Sequence, residues 1–287
     1  MNIVVTGATG NIGRRVTTEL ASKGVSVVAL ARDSAKGAPL EAAGARVAVG
    51  SFEDAASLER AFSGADTLVL ITAANAHADA QTSRALAAAK SAGVRKIVRV
   101  SALKADADGP TDNTRQHART EAALKASGLT HVILRPHLFF QNLFASLPTI
   151  LSEGKIYWGV GEARMGIVDT RDVADAVVVA ATTDRFDGGT FELTGPASVD
   201  YHAVAAAIGR ALGRDVAYQA VPPEAAAEAL RRFGVDDWTV NVVRDYCTAY
   251  ARGWGDFTTE DVARITGHAP RSADDFAREV LAPAARG

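Results

Sequence analysis

The sequence predicts an α/β fold: a Rossmann-type, doubly wound parallel sheet with a smaller, interleaved C-terminal α/β lobe. Three observations predict it. Short apolar runs alternate with helix-length stretches through the N-terminal half, as in parallel strands joined by crossover helices. The first run, Ile3-Val4-Val5, leads directly into Gly7, Gly10 and Gly13, spaced G-x-x-G-x-x-G, and then into an amphipathic stretch. With 287 residues, 48% of them hydrophobic, the chain is long enough to bury a large core.

The elements follow in order. The first strand covers Ile3 to Val5, and its helix runs from Ile12 through Val16 and Leu20 to a stop at Gly24. Between them, Gly7, Ala8, Thr9, Gly10, Asn11 and Ile12 are the expected cofactor loop. Gly7 permits a tight turn, Gly10 lets the backbone approach a pyrophosphate, and Gly13 lets helix and strand pack closely. The phosphates then sit on unpaired N–H groups at the positive end of the helix. A second strand, Val25 to Leu30, ends at Ala31-Arg32-Asp33. An arginine at that strand end accommodates the 2′-phosphate of NADP, so NADP(H) is the expected cofactor, with Asp33 capping the next turn; the other reading of Asp33 is a hydrogen bond to the ribose 2′-hydroxyl of NAD. The third strand, Ala45 to Val49, places Ser51 and Phe52 near the adenine; the other reading of Phe52 is ordinary core packing. The fourth, Thr67 to Ile71, follows a helix around Leu58 and Phe62. It precedes Thr72, Ala73 and Ala74, small enough for close passage of ribose and nicotinamide. An alanine-rich helix from about Asp79 to Ala92 leads to the fifth strand, Ile97 to Val100. A helix through Glu121 and Leu124 leads to the sixth, Thr130 to Leu134. Ligands of such sheets lie at the carboxyl ends of the strands, where strand order reverses.

Composition narrows the function classes. A net charge of -2 gives no electrostatic case for nucleic acid or an anionic membrane. The single cysteine, Cys247, excludes an intramolecular disulfide and a thiolate metal cluster, and its apolar flanks predict a buried structural thiol. No apolar run approaches the ~20 residues needed to span a bilayer, and the chain opens on a strand rather than a signal segment. A cytoplasmic protein is expected. No His/Asp/Glu spacing points to a metal, and no G-x-S-x-G elbow points to a hydrolase.

Ser101 stands after the fifth strand in KIVRVSAL, and His117 and Glu121 lie one turn apart in NTRQHARTEAALKASGL. With VTGATGNIG at the start, this constellation resembles the short-chain dehydrogenase/reductase superfamily. There a serine after strand five and a Tyr-x-x-x-Lys on the next helix carry the proton chemistry. Here the tyrosine position reads His117 and the lysine position Glu121, which removes the usual acid and the lysine that lowers its pKa. The chain is therefore similar to the atypical, NmrA-like branch, and within it to NADPH-dependent quinone reductases and triphenylmethane reductase. The likeness continues through GLTHVILRPHLFFQNL, VDTRDVADAV, FELTGPASVDYHAVAAAIGRALGR and TTEDVARITGHAPRSADDF.

That resemblance implies a nucleotide-binding domain over residues 1–155, with part of 165–195 returning to it, and a mostly substrate-binding lobe over 156–287. Pro136, His137 and Leu138 are expected on the nicotinamide side of the cofactor, and His137, Asn142 and Trp158 toward the substrate. The aromatics Phe233, Trp238, Tyr246 and Trp254 are expected mainly in the core. Ser101 and His117 are the candidate catalytic pair. His117 could donate a proton, its ordinary pKa lying near neutrality, or be a half-buried helix residue paired with Glu121 at i,i+4. The implied function is an NADPH-dependent oxidoreductase, independent of tyrosine and flavin, passing hydride to a quinone or conjugated carbonyl. The alternative is a non-catalytic NAD(P)-binding sensor. A second copy of the chain, as a homodimer, is the candidate protein partner.

Overall fold

Nine strands and their helices alternate along the chain in the computed structural model, which describes residues 1–286. The strands are β1 (Asn2–Val5), β2 (Ser26–Ala31), β3 (Arg46–Val49), β4 (Thr67–Leu70), β5 (Lys96–Val100), β6 (Thr130–Pro136), β7 (Lys155–Trp158), β8 (Thr190–Leu193) and β9 (Ala217–Ala220). The helices that matter below are α1 (Asn11–Ser22), α2 (Ser34–Ala42), α3 (Ala55–Phe62), α4 (Ala78–Ser91), α5 (Asp112–Ala126), α6 (Leu147–Glu153), α7 (Thr170–Thr182), α8 (Tyr201–Leu212), α9 (Pro223–Arg232) and α10 (Asp237–Ala251).

Seven strands form one sheet in the order β3-β2-β1-β4-β5-β6-β8, and β1 to β6 run parallel. Val4 stands opposite Val28 on one side and Leu68 on the other, and Val98 stands opposite Val132. Strands covered on both faces read as continuous apolar runs, which is why the six sequence-predicted strands fall within a few residues of the observed ones. Leu58 and Phe62 of α3, Leu86 of α4 and Leu124 of α5 pack with Val4, Val28, Leu68, Leu70, Ile97 and Ile133 into one core. Strand order reverses between β1 and β4, so the ligand crevice belongs at their carboxyl ends.

The chain divides into two units. The first comprises Met1–Gly109, Asn113–Arg135 and Arg171–Glu192; the second comprises Pro110–Asp112, Pro136–Thr170 and Leu193–Gly287. In the second, β7 and β9 form a separate parallel pair with Ile156 opposite Tyr218. There the half-buried Tyr246 and Trp254 cluster on the buried Tyr250 at centroid distances of 5.5 to 6.0 Å. Cys247 is buried there, and burial pushes its thiol up to about 12, so it is an inert packing group. Trp238 donates its indole N–H to Asp112 at 2.6 Å. Phe233 corrects an expectation: it is 86% exposed rather than in the core. The physical reason is that α9 buries Ala227 alone, so its last turn carries Phe233 into solvent. No helix among the described residues is long and apolar enough to cross a membrane.

Candidate active site

The loop after β1 has the shape of a phosphate cradle. Gly7 adopts φ +61°, which side chains rarely tolerate, and a Cβ there would stand 3.0 Å from the Ile71 carbonyl oxygen. At Gly13 a Cβ would lie 2.2 Å from the Gly7 carbonyl oxygen, so only glycine lets α1 begin this close to the loop. Gly10 caps α1 in an extended conformation without a side-chain cap, and the first turn carries no acidic residue. The helix therefore presents its unpaired N–H groups and the positive end of its dipole to an anion. Thr9, Gly10 and Asn11 are exposed at that mouth, while Ala8 and Ile12 anchor it in the core. Thr6 fixes the loop to the end of β4: its hydroxyl accepts from the Ile71 N–H at 2.9 Å and donates to the Ile71 carbonyl at 3.0 Å. The cradle fits a dinucleotide pyrophosphate, because it is lined by backbone donors and a Cβ at Gly7 or Gly13 has no room.

The neighbouring strand ends bring the other cofactor candidates of the first unit to the same edge of the sheet. Arg32 is exposed just beyond β2, and Asp33 is occupied as the cap of α2, accepting from the Ala35 N–H at 2.8 Å. Ser51 receives the Glu53 N–H at 3.3 Å and donates its own N–H to Ser57 at 3.2 Å, shaping the turn after β3. Phe52 is half-buried and packs against the core. Ala73 and Ala74 are exposed after β4, and Thr72 is half-buried.

Beneath that edge lies a polar cluster built by β5, α5 and β6. Alternation along the strand puts Arg99 and Ser101 on one face, and the helical period puts His117, Thr120 and Glu121 on one face of α5. Ser101 donates to Glu121 Oε1 at 2.5 Å and lies 3.2 Å from His117 Nδ1. Glu121 also receives Arg135 of β6 twice, at 2.9 and 2.6 Å, and Arg135 reaches Glu192 at 3.1 Å. At the superfamily's lysine position stands a carboxylate committed to a buried, forked ion pair. Glu121 thus partners Ser101 and Arg135, while His117 meets the cluster through Nδ1. Burial, reinforced by the charges of Arg99 and Arg135, brings the His117 imidazole down to about 3. The ring is neutral at physiological pH, in contrast to the near-neutral titration expected of an unperturbed histidine. Burial raises the Glu192 carboxyl above its ordinary value, against the lowering pull of the Lys104 N–H and Arg135.

Arg99 is, with Arg135 and Glu192, a member of this cluster that sequence reasoning missed. It is 1% exposed and donates to Thr72 Oγ1 at 3.4 Å, Thr120 Oγ1 at 3.2 Å and His117 Nδ1 at 3.5 Å. Its signal was a charged residue inside the apolar run KIVRV, two positions before Ser101.

The candidates of the second unit have different surroundings. His137 is buried with both ring nitrogens engaged: Nδ1 accepts from the Leu138 N–H at 2.7 Å, and Nε2 lies 3.0 Å from the Gly255 carbonyl it donates to. Its ring also stacks on Tyr250 at 5.8 Å. Pro136 ends β6, and Leu138 is half-buried. Asn142 is exposed on a 3₁₀ turn, and Trp158 is half-buried at the end of β7 with an indole N–H that meets no acceptor.

Comparison with known proteins agrees with the cradle. Residues 7–184 match the NAD(P)H-binding family. The chain is 29% identical over 279 residues to an NAD(P)H azoreductase of Xenophilus azovorans, covering 96% of each protein. It is 34% identical over 229 residues to a (4-alkanoyl-5-oxo-2,5-dihydrofuran-3-yl)methyl phosphate reductase of Streptomyces griseus, covering 79% of this chain and 80% of the relative. Its fold superposes on the crystal structure of an NADPH-dependent quinone oxidoreductase of Escherichia coli complexed with NADPH, with a TM-score of 0.87, 28% identity, and coverage of 97% and 99%. The chain belongs to the NAD(P)H-binding family.

Proposed function

We propose that this chain is an NADPH-dependent reductase that passes hydride to a quinone or similar conjugated acceptor on a small aromatic substrate. The observation that carries the reading is an intact nucleotide cradle beside a cluster with no strong acid. His117 is neutral and Glu121 is tied to Arg135. Reducing a simple ketone leaves a strongly basic alkoxide and calls for a positioned acid. Reducing a quinone leaves a delocalised anion that water protonates, so the protein's work is placement and exclusion of water. Bound NADPH supplies the hydride from C4 of its nicotinamide. Gly7 to Ile12 hold the pyrophosphate, Arg32 receives the 2′-phosphate, and Ser51, Phe52, Thr72, Ala73 and Ala74 line the path of adenine and ribose. Ser101 and His117 serve the reacting end by hydrogen bonding. In the second unit, the proposed roles are nicotinamide contact for Pro136, His137 and Leu138, and acceptor contact for His137, Asn142 and Trp158. The names of the azoreductase and quinone oxidoreductase relatives support acceptors of this electron-poor type.

The absence of the tyrosine and lysine also supports a second reading, an NAD(P)-binding sensor that turns nothing over. The deciding assay is NADPH and NADH oxidation by the purified protein against quinones, azo compounds and conjugated ketones. Turnover with at least one acceptor, preferring NADPH, is expected, and Arg32→Ala should erase the preference. Tight NADPH binding with no oxidation across the panel overturns the reductase and favours the sensor.

A further inference from the structure

We propose that Gln81 is a positioning residue for the adenosine end of NADP(H), tying the turn after β3 to the turn after β4 through a side-chain strap, Asn75–Gln81–Glu53. This role depends on the cofactor path proposed above and is independent of whether the protein turns an acceptor over.

Sheet order explains why a strap is needed. In the sheet, β3 and β4 are separated by β2 and β1, so no ladder hydrogen bond fixes the turn after one strand against the turn after the other. Both turns line the proposed adenosine path, with Ser51 and Phe52 in the first and Thr72, Ala73 and Ala74 in the second. Helix α4 supplies the connection. Gln81 Nε2 donates to Glu53 Oε1 at 2.9 Å, and Gln81 Oε1 accepts from Asn75 Nδ2 at 3.1 Å. Asn75 is itself held in its turn. Its Nδ2 also donates to the Ala73 carbonyl at 2.9 Å, and its Oδ1 accepts the His77 N–H at 2.8 Å. Three residues further along the same face of α4, Arg84 donates to the Phe52 carbonyl at 3.4 Å. Two side chains of one helix therefore reach the turn after β3, one at Glu53 and one at Phe52.

Donors and acceptors alternate from Asn75 to the Glu53 carboxylate, so the last bond of the strap is charge-assisted. The Gln81 donor accordingly holds the Glu53 carboxyl below its ordinary value. Packing of the helices does not call for these contacts. Leu58 and Phe62 of α3 already share the core with Leu86 of α4, whereas Glu53 is exposed and Gln81 half-buried. What the strap adds is order in two turns before a ligand arrives. A preformed site spares the ligand the entropy of fixing those turns, so the strap acts on binding more than on folding.

Titration of the full chain with 2′,5′-ADP, a probe that carries the adenosine end without the nicotinamide, tests the strap and needs no acceptor. Gln81→Leu should weaken 2′,5′-ADP about 5- to 30-fold, the worth of one or two hydrogen bonds, and lower the thermal midpoint by less than about 3 °C. Glu53→Ala removes the same bond from the other side and should weaken the probe likewise, which keeps the strap testable if Gln81→Leu does not fold. Gln81→Glu sets two carboxylates against each other and should bind no better than Gln81→Leu. Adding Glu53→Gln to it reverses donor and acceptor in the pair, and should return affinity to within about 3-fold of the wild type. A residue that only supported the fold, or that touched the ligand directly, would not be rescued by exchanging its partner. Unchanged affinity in Gln81→Leu or Glu53→Ala overturns the strap, and so does an exchange that restores nothing. A wild type that does not bind 2′,5′-ADP overturns the cofactor path and the strap with it.

Discussion

Single residues set the cofactor end of this molecule through space rather than charge. At Gly13 an added Cβ meets the Gly7 carbonyl oxygen at 2.2 Å, the Gly7 carbonyl carbon at 2.7 Å and the Ala8 Cα at 2.9 Å. All three are backbone atoms, so nothing can swing aside. Gly13→Ala must push the first turn of α1 away from the loop that it and β1 share. We expect NADPH affinity to fall by at least ~100-fold, on the order of 3 kcal/mol, by isothermal titration. Gly24 is the control, at φ +75° with open space around it, where alanine costs about 1 kcal/mol of stability and leaves NADPH affinity unchanged. Equal NADPH binding by wild type and Gly13→Ala would refute the cradle. The glycines were legible in the sequence because each geometric demand admits one residue type. Arg99 was not, because a charged residue in an apolar run reads as an exposed position until the sheet is known to be covered on both faces.

At the scale of elements, α5 is held against β5 and β6 by polar contacts as well as by Leu124 in the core. Glu121 is the hinge of that arrangement, joining Ser101 after β5 to Arg135 in β6. Placing the superfamily's lysine there would set a third cation between Arg99 and Arg135 and leave two buried groups without their acceptor. Glu121→Lys should cost about 3–5 kcal/mol in chemical denaturation, the range for breaking one side of a buried pair. The exchange Glu121→Lys with Arg135→Glu restores opposite charges and should recover more than about 1 kcal/mol of the loss in a double-mutant cycle. A single variant as stable as the wild type would mean that the ion pair does not organise these elements. His117 and Glu121 were visible in the sequence as departures from a motif. Their partners were not, because Arg135 comes from a strand fourteen residues on and Glu192 from β8, and only the sheet order makes them neighbours.

The fold of the whole molecule was legible where burial is continuous and illegible where it is sparse. Val27 to Ala31 are all buried, so β2 announced itself. The strands β7 and β9 bury one side chain fully apiece, Ile156 and Tyr218, too little to leave a pattern. The same uneven burial makes global stability depend on pH through His117. Its folded pKa of about 3 lies below the ordinary 6.5, so between those values the unfolded chain binds more protons than the folded one. Stability then rises with pH across that window and is flat above it, the sign set by the neutral ring being the folded form. From neutrality down to about pH 5 the loss should be about 2 kcal/mol. Asp275, held at about 2 by its Ser272 cap, gives a loss of the same sign at lower pH. Glu192, raised by burial, acts with the opposite sign just above 4.5. Both are present in His117→Gln as well as in the wild type, so the difference between the two isolates the imidazole. Denaturation read by amide exchange in β5 follows the unit that holds it. The wild type should lose stability over this interval while His117→Gln loses less than half as much, and parallel curves would mean that the ring is not buried in its neutral form.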